Sequence, residues 1–248
     1  MIPEPLLVVL ARILMGRHAG TPFTKGIAVE RFFNDRRDAG IQLARALLRL
    51  RDAEPIVLAL PRGGVPVAFE VAKALAAPLD VLLVRKIGAP GHEELALGAI
   101  MDGAHPQTVL NEEIIRLTAP PAGYLEAEKR RQLAEIERRR ELYRGNKSAL
   151  DVAGRTVIVV DDGIATGATV KAAMRGISQN GPRRLILAIP VAPPDSIENL
   201  KGFCDEVVCL YAPEPFFAVG AYYADFSQTS DDEVIRLVAA SQAQAGPA

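Results

Sequence analysis

The run Val157-Ile158-Val159-Val160 followed by Asp161-Asp162-Gly163-Ile164-Ala165-Thr166-Gly167-Ala168-Thr169 constrains this chain more than any other segment. Four consecutive β-branched residues predict a buried strand. Two carboxylates end it. A Gly/Thr-rich turn follows, and then a helix beginning near Thr169, with Val170, Ala172, Ala173 and Met174 among its first residues. Each part has a chemical use. Glycines let a backbone come close to a ligand. The unpaired N–H groups of the turn and of the new helix form an anion site that the helix dipole reinforces. Thr166 and Thr169 add hydroxyl donors, and the adjacent carboxylates of Asp161 and Asp162 suit a vicinal diol. A phosphate cradle beside a diol clamp describes a site for a ribose 5-phosphate. The plainer alternative is a tight strand-to-helix turn in which one Asp caps the helix. The turn has neither the P-loop nor the dinucleotide-fold glycine pattern, so ATP and NAD are not indicated.

The rest of the chain reads as alternating strands and helices. Ala39, Leu43, Ala46, Leu47 and Leu50 recur at helical spacing, Ile56 to Leu60 is a short apolar strand, and Pro61-Arg62-Gly63-Gly64 turns into a helix from Val65 to Ala76. Leu79 to Val84 predicts a second strand, followed by Arg85-Lys86 and a loop rich in Gly and Pro (Gly88, Pro90, Gly91). A hairpin from Leu95 to Val109 follows, with Asp102-Gly103 near its turn. Strands are also expected from Thr156, over Leu185 to Val191 and over Val207 to Tyr211, joined by helices at Val170 to Ser178 and Pro194 to Leu200. This alternation predicts an α/β fold with a doubly wound, mostly parallel sheet flanked by helices. Ligands of such sheets collect beyond the carboxyl ends of the strands. The Arg62 loop, Lys86 and the loop Asp161 to Thr169 all fall on that rim. Two glycines beside Arg62 offer amides and a guanidinium to an anion. Arg85 is a weaker candidate than Lys86, because neighbours on a strand point to opposite faces.

At Val157 to Thr169 the chain resembles the signature of type I phosphoribosyltransferases, which bind 5-phosphoribosyl-1-pyrophosphate (PRPP). The resemblance runs from about Phe32 to Glu233. It implies that Asp161 and Asp162 hold the ribose hydroxyls, that Ala165, Thr166, Gly167, Ala168 and Thr169 hold the 5′-phosphate beside Gly163, and that Arg62, Gly63, Gly64 and Val65 form the pyrophosphate loop. Arg62, Lys86, Asp161 and Asp162 are then the residues of the reaction, which needs Mg²⁺ chelated by PRPP and no direct protein ligand. The segment Lys86 to His105 corresponds to a mobile loop or hairpin with His92, Glu93 and Glu94 at its tip. Five aromatics between Phe216 and Phe226, in a chain with only 8 Phe and 5 Tyr, suggest a small hood in which Phe216, Phe217, Tyr222 and Tyr223 stack on a base. A latch packing the tail on the sheet edge is the equal alternative. Ala165 stands where some purine-salvage members carry Asp, which disfavours a hypoxanthine-type acceptor. The Pro-Arg-Gly-Gly loop and the charged helix are similar to a group of bacterial phosphoribosyltransferases predicted from genomes.

The expected organisation is an N-terminal extension over 1–28, a phosphoribosyltransferase-like domain over 29–240, and a disordered tail over 241–248. The domain carries a charged helical insertion at 120–147 and the aromatic tail at 212–230. In the insertion, Lys129-Arg130-Arg131 and Arg138-Arg139-Arg140 sit among five glutamates, while Leu125, Leu133, Ile136 and Tyr143 form a thin apolar stripe. An exposed helix with mixed charges explains this pattern. A basic face for RNA is disfavoured by the glutamates and by a net charge of −1. Cys204 and Cys209 are too few and too badly spaced for zinc and suit a reducing cytoplasm. Arg12 breaks the apolar run Leu6 to Met15, which is too short to span a bilayer. The expected partners are PRPP and a small acceptor, with neither membrane nor nucleic acid, and a homodimer is admissible. Two other functions stay open: a regulator that senses PRPP and binds RNA or DNA, and a hydrolase or phosphorylase of phosphoribosyl compounds.

Overall fold

The computed structural model describes residues 30 to 244, so the expected extension over 1–28 and the final residues 245–248 lie outside the described residues. Five parallel strands form the main sheet: β1 (Ile56–Ala59), β2 (Leu79–Val81), β6 (Thr156–Val160), β7 (Arg184–Val191) and β8 (Glu206–Tyr211), in the order β2-β1-β6-β7-β8. Alternate residues of each strand feed opposite faces. Val57, Ala59, Ile158, Val160, Ile186 and Ala188 pack on one side, with α1 (Arg36–Leu47) and α2 (Gly64–Leu75). Ile56, Leu58, Val157, Val159, Leu185 and Leu187 pack on the other, with α5 (Ala168–Ser178) and Leu200 of α6 (Pro194–Leu200). Both faces are covered, which is why these strands read as continuous apolar runs. The doubly wound parallel sheet is therefore as expected.

The region after β2 differs from expectation. It forms a separate antiparallel sheet, β3-β4-β5, from β3 (Val84–Ala89), β4 (His92–Met101) and β5 (Gln107–Leu110). Arg85 and Lys86 thus lie inside β3 rather than at the end of a parallel strand. Ala89 pairs with His92, so only Pro90 and Gly91 form the turn, and Gly88 sits at a register shift within the strand. A glycine at a bulge is easily mistaken for a loop residue in sequence. The turn near Asp102-Gly103 joins β4 to β5 as anticipated.

A short helix α3 (Glu112–Thr118) precedes the charged insertion, which contains the long helix α4 (Tyr124–Arg144). The buried stripe of α4 is Glu128, Gln132, Ile136, Tyr143 and Arg144. Leu133 is 47% exposed and drops out of the expected apolar stripe. Polar residues take buried places along the stripe because each is hydrogen-bonded, Glu128 by Gln132 and Arg131, and Arg144 by two buried aspartates. Arg144 Nε donates to Asp80 Oδ1 at 2.7 Å and its Nη1 to Asp102 Oδ2 at 2.5 Å, while Nη2 donates to Val81 O. The outer arginines pair within one turn, Arg138 with Glu135 and Arg140 with Glu137. A last helix, α7 (Asp231–Gln244), begins after Ser230, whose Oγ accepts from Glu233 N–H, and buries Val234 and Val238 against α2 and its neighbours. Because α7 runs to Gln244, residues 241–244 are helical, not part of a disordered tail.

Candidate active site

Strand β6 delivers Asp161 and Asp162 to the carboxyl edge of the sheet, and α5 starts six residues later. Gly167 caps that helix with φ +74°, a conformation that favours glycine. The first turn bond of α5 runs from Lys171 N–H to Gly167 O. Among the described residues no protein acceptor takes the amides of Ala165, Thr166, Gly167, Ala168 and Thr169, and Ala165, Thr166, Ala168 and Thr169 are exposed. Below the loop, Ser196 Oγ donates to Ala165 O at 2.7 Å and Ile164 N–H to Val191 O at 3.0 Å, which hold the turn from beneath. The result is an open row of donors at a positive helix end.

The two carboxylates have different surroundings. Asp161 Oδ1 accepts from the Asp162 amide at 2.9 Å. Burial, and then the neighbouring Asp162 charge, raise the Asp161 carboxyl well above the usual range for aspartate. Part of the residue remains accessible along the cleft, and the loss of water around the carboxyl decides the direction. Asp162 Oδ2 accepts from Arg36 Nε at 2.7 Å, with side-chain exposures of 14% and 12%. Arg36 itself lies 3.9 Å over the Phe226 ring and donates from Nη1 to Ser227 O. No basic residue neighbours Asp162 in sequence. Its partner comes from 126 residues away, and no local signal could have shown it.

The Arg62 loop packs directly on this pair. A Cβ on Gly63 would stand 2.0 Å from Asp162 Oδ2, and one on Gly64 would stand 2.7 Å from Val160 O. Both glycines are therefore required by close approach, since φ at Gly63 is an ordinary −60°. This narrows the expectation that the loop amides are free for an anion, since among the described residues the Gly64 and Val65 amides have acceptors and the Gly63 amide has none. Gly64 N–H donates to Leu60 O and Val65 N–H to Arg62 O. Arg62 remains at the rim, with Nη1 3.9 Å from Asp231 Oδ1.

Three clefts that share Val84 and Thr169 meet at the start of α5. The first, of about 240 Å³, is lined by Pro61, Arg85, Arg139, Asp161 and Thr169. Lys86 lines the other two, one against α5 with Lys171 and Arg175, the other against α4 with Arg131. Arg85 lines the first cleft and, together with Lys86, the cleft against α4, where its Nε donates to Gln132 Oε1 at 2.8 Å, so Arg85 joins Lys86 as a candidate cation at this rim. Arg139 is a residue the sequence reading missed. Its position three residues after Ile136 and four before Tyr143 was the available signal, since both of those are buried.

Against this geometry, the family model for the phosphoribosyl transferase domain matches residues 33–225. The chain belongs to the phosphoribosyltransferase family. Curated relatives from two Mycobacterium tuberculosis strains, named provisionally as phosphoribosyl transferases, are 51% identical over 208 residues, covering 84% of this chain and 46% of each relative. The chain thus spans about half the length of those relatives. A Roseiflexus protein named bifunctional protein PyrR is 31% identical over 144 residues, covering 57% of this chain and 69% of the relative. A crystal structure of a protein from Thermus thermophilus superposes with a TM-score of 0.74 at 48% identity, covering 83% of this chain and 97% of that one.

In this family member the aromatic tail is mostly a latch. Tyr222 and Tyr223 are buried, and their rings pack among Phe32, Phe33, Phe216 and Phe226. Phe32 and Phe33 amides donate to Tyr222 O, and Tyr223 hydroxyl donates to Asp162 O at 2.5 Å. Tyr222 and Tyr223 therefore present no open face to a base, which corrects their expected role. Phe217 is 52% exposed and Phe216 half-buried. His92 is exposed beside the Pro90-Gly91 turn, and the side chains of Glu93 and Glu94 lie outside the described residues.

Proposed function

We propose that this chain transfers the 5-phosphoribosyl group of PRPP to a nitrogenous base or a related small acceptor, with release of pyrophosphate. The observation that carries the reading is the open row of amides from Ala165 to Thr169, set at a helix start beside two dissimilar carboxylates. In this reading the amides and the Thr166 and Thr169 hydroxyls hold the 5′-phosphate, and Asp161 and Asp162 orient the ribose hydroxyls. The pyrophosphate then extends toward Arg62 and the cationic clefts of Arg85 and Lys86. As the C1–O bond breaks, negative charge grows on the departing pyrophosphate, so cations at that end act mainly on the transition state. The acceptor nitrogen attacks C1, and no protein nucleophile is needed. Holding the two partners in line supplies the remainder.

Among the described residues no group of three or more His, Cys, Asp or Glu is placed to hold a metal ion. Mg²⁺ would instead be carried on substrate oxygens and water, with Asp161 and Asp162 as the carboxylates offered to its waters. Bound in this way, the ion would neutralise charge on the pyrophosphate. The pairing of Arg138 and Arg140 with glutamates gives a nucleic-acid-binding regulator little free basic surface. The test is to incubate the purified protein with PRPP and Mg²⁺ against a panel of purine, pyrimidine and pyridine acceptors, following pyrophosphate release. Release that depends on one acceptor supports transfer. Release with water alone, or phosphate-dependent turnover of nucleotides, would replace it with hydrolysis or phosphorolysis.

A further inference from the structure

The arginine triplet of α4 is a sequence feature that the proposed function leaves without a use, and its members face differently. The Arg138 and Arg140 side chains are 59% and 50% exposed and belong to solvated pairs one turn long. Arg139 is 28% exposed and turns inward, into the cleft with Pro61, Arg85, Asp161 and Thr169. Among the described residues its one hydrogen bond to the protein runs from Nε to Glu135 Oε1 at 2.7 Å, so both terminal amino groups of the guanidinium are available. The carboxylate that shares the cleft, Asp161, bonds instead to the Asp162 amide.

Arg62 approaches from the other side. Its Nη1 lies 3.9 Å from Asp231 Oδ1, the oxygen that also accepts from the Tyr143 hydroxyl one helical turn beyond Arg139. Burial first, and then Asp231, push the Tyr143 hydroxyl up to about 12, while the charges of Arg139 and Arg62 both oppose that rise. Cations from two separate elements therefore line one cleft, Arg85 from β3, whose Nε donates to Gln132 Oε1 at 2.8 Å, and Arg139 from α4, while Arg62 stands against Asp231. A planar guanidinium with free amino groups suits two phosphate oxygens at once. Arg139 has Glu135 as its counter-charge, and its two terminal amino groups remain for a further anion in the cleft.

We propose that Arg139, with Arg85 beside it, binds the pyrophosphate end of PRPP, and that Glu135 holds Arg139 in readiness as a counter-charge. This rests on the PRPP reading and adds to it a ligand supplied by the charged insertion. The experiment is calorimetric titration of the full chain and its variants with Mg²⁺-pyrophosphate, PRPP and ribose 5-phosphate, alongside thermal unfolding. Arg139→Gln is expected to weaken pyrophosphate and PRPP by about tenfold or more while ribose 5-phosphate stays within about twofold. Arg139→Lys should recover part of the loss, and Arg138→Gln should change neither ligand by more than about twofold. Glu135→Gln should tighten pyrophosphate, because Arg139 loses a competing anion. A merely structural Glu135–Arg139 pair predicts the opposite sign. If the parent binds PRPP and Arg139→Gln, still folded, keeps its pyrophosphate affinity, the role of Arg139 is overturned and the phosphoribosyl site stands. If the parent binds neither PRPP nor pyrophosphate, both are overturned.

Discussion

Arg144→Met removes the cation that ties the end of α4 to the sheet. The Arg144 guanidinium is 3% exposed and its partners Asp80 and Asp102 are each 5% exposed. Methionine keeps much of the packing volume, so the loss is chiefly electrostatic. Breaking a buried pair from one side costs about 3–5 kcal/mol. The lower part of that range applies, because Asp80 keeps the Val81 and Leu150 amides and Asp102 keeps the Leu83 amide. The loss also has a pH signature. Burial already raises the Asp102 carboxyl above its ordinary 3.8, and Arg144 opposes that rise. Without Arg144 the folded-state value climbs further above the unfolded one. The protonated group is then the compatible one, so its contribution is fully present below 3.8 and lost as pH rises through the folded value. The deficit of the variant should be largest near about pH 8 and smaller by about 1–2 kcal/mol near about pH 4.5. Urea unfolding followed by circular dichroism at both pH values measures it. A deficit below about 1 kcal/mol at the higher pH, or one that does not shrink on acidification, would refute the reasoning.

Three further outcomes are expected. Gly63→Ala places a Cβ 2.0 Å from Asp162 Oδ2 and must displace that carboxylate from Arg36; stability should fall by about 1–3 kcal/mol in thermal or urea unfolding, with PRPP affinity falling alongside it in calorimetry. Asp161→Asn combined with Asp162→Asn should weaken PRPP binding by about 2–5 kcal/mol and lower stability as well, because Arg36 loses its charged partner; unchanged affinity in the folded variant would remove the diol assignment. Burial pushes the Cys209 thiol up to about 11, so only about one in a thousand is thiolate at pH 8 and a thiol reagent should label it slowly until urea unfolds the chain.

What the sequence by itself determined is local chemistry: a run of β-branched residues that must be buried, two aspartates at its end, and a Gly/Thr turn whose amides have nowhere else to bond. Helices at Pro194–Leu200 and Ala168–Ser178 and the strand Thr156–Val160 follow from periodicity and turn residues within a few positions of one another. Only the tertiary structure decided what those groups face. Arg36 reaches Asp162 across 126 residues, Arg144 joins Asp80 of β2 to Asp102 just after β4, and Arg139 rather than its identical neighbours enters the cleft. Arg85 came to line the clefts beside Lys86, and the tyrosines expected to stack on a base went instead to the latch. The physical reason is common to all of these. A turn or a helix is stabilised by interactions within a few residues, and so it is written locally. The pairing of a charge and the facing of a side chain depend on which distant segment the folded core brings alongside.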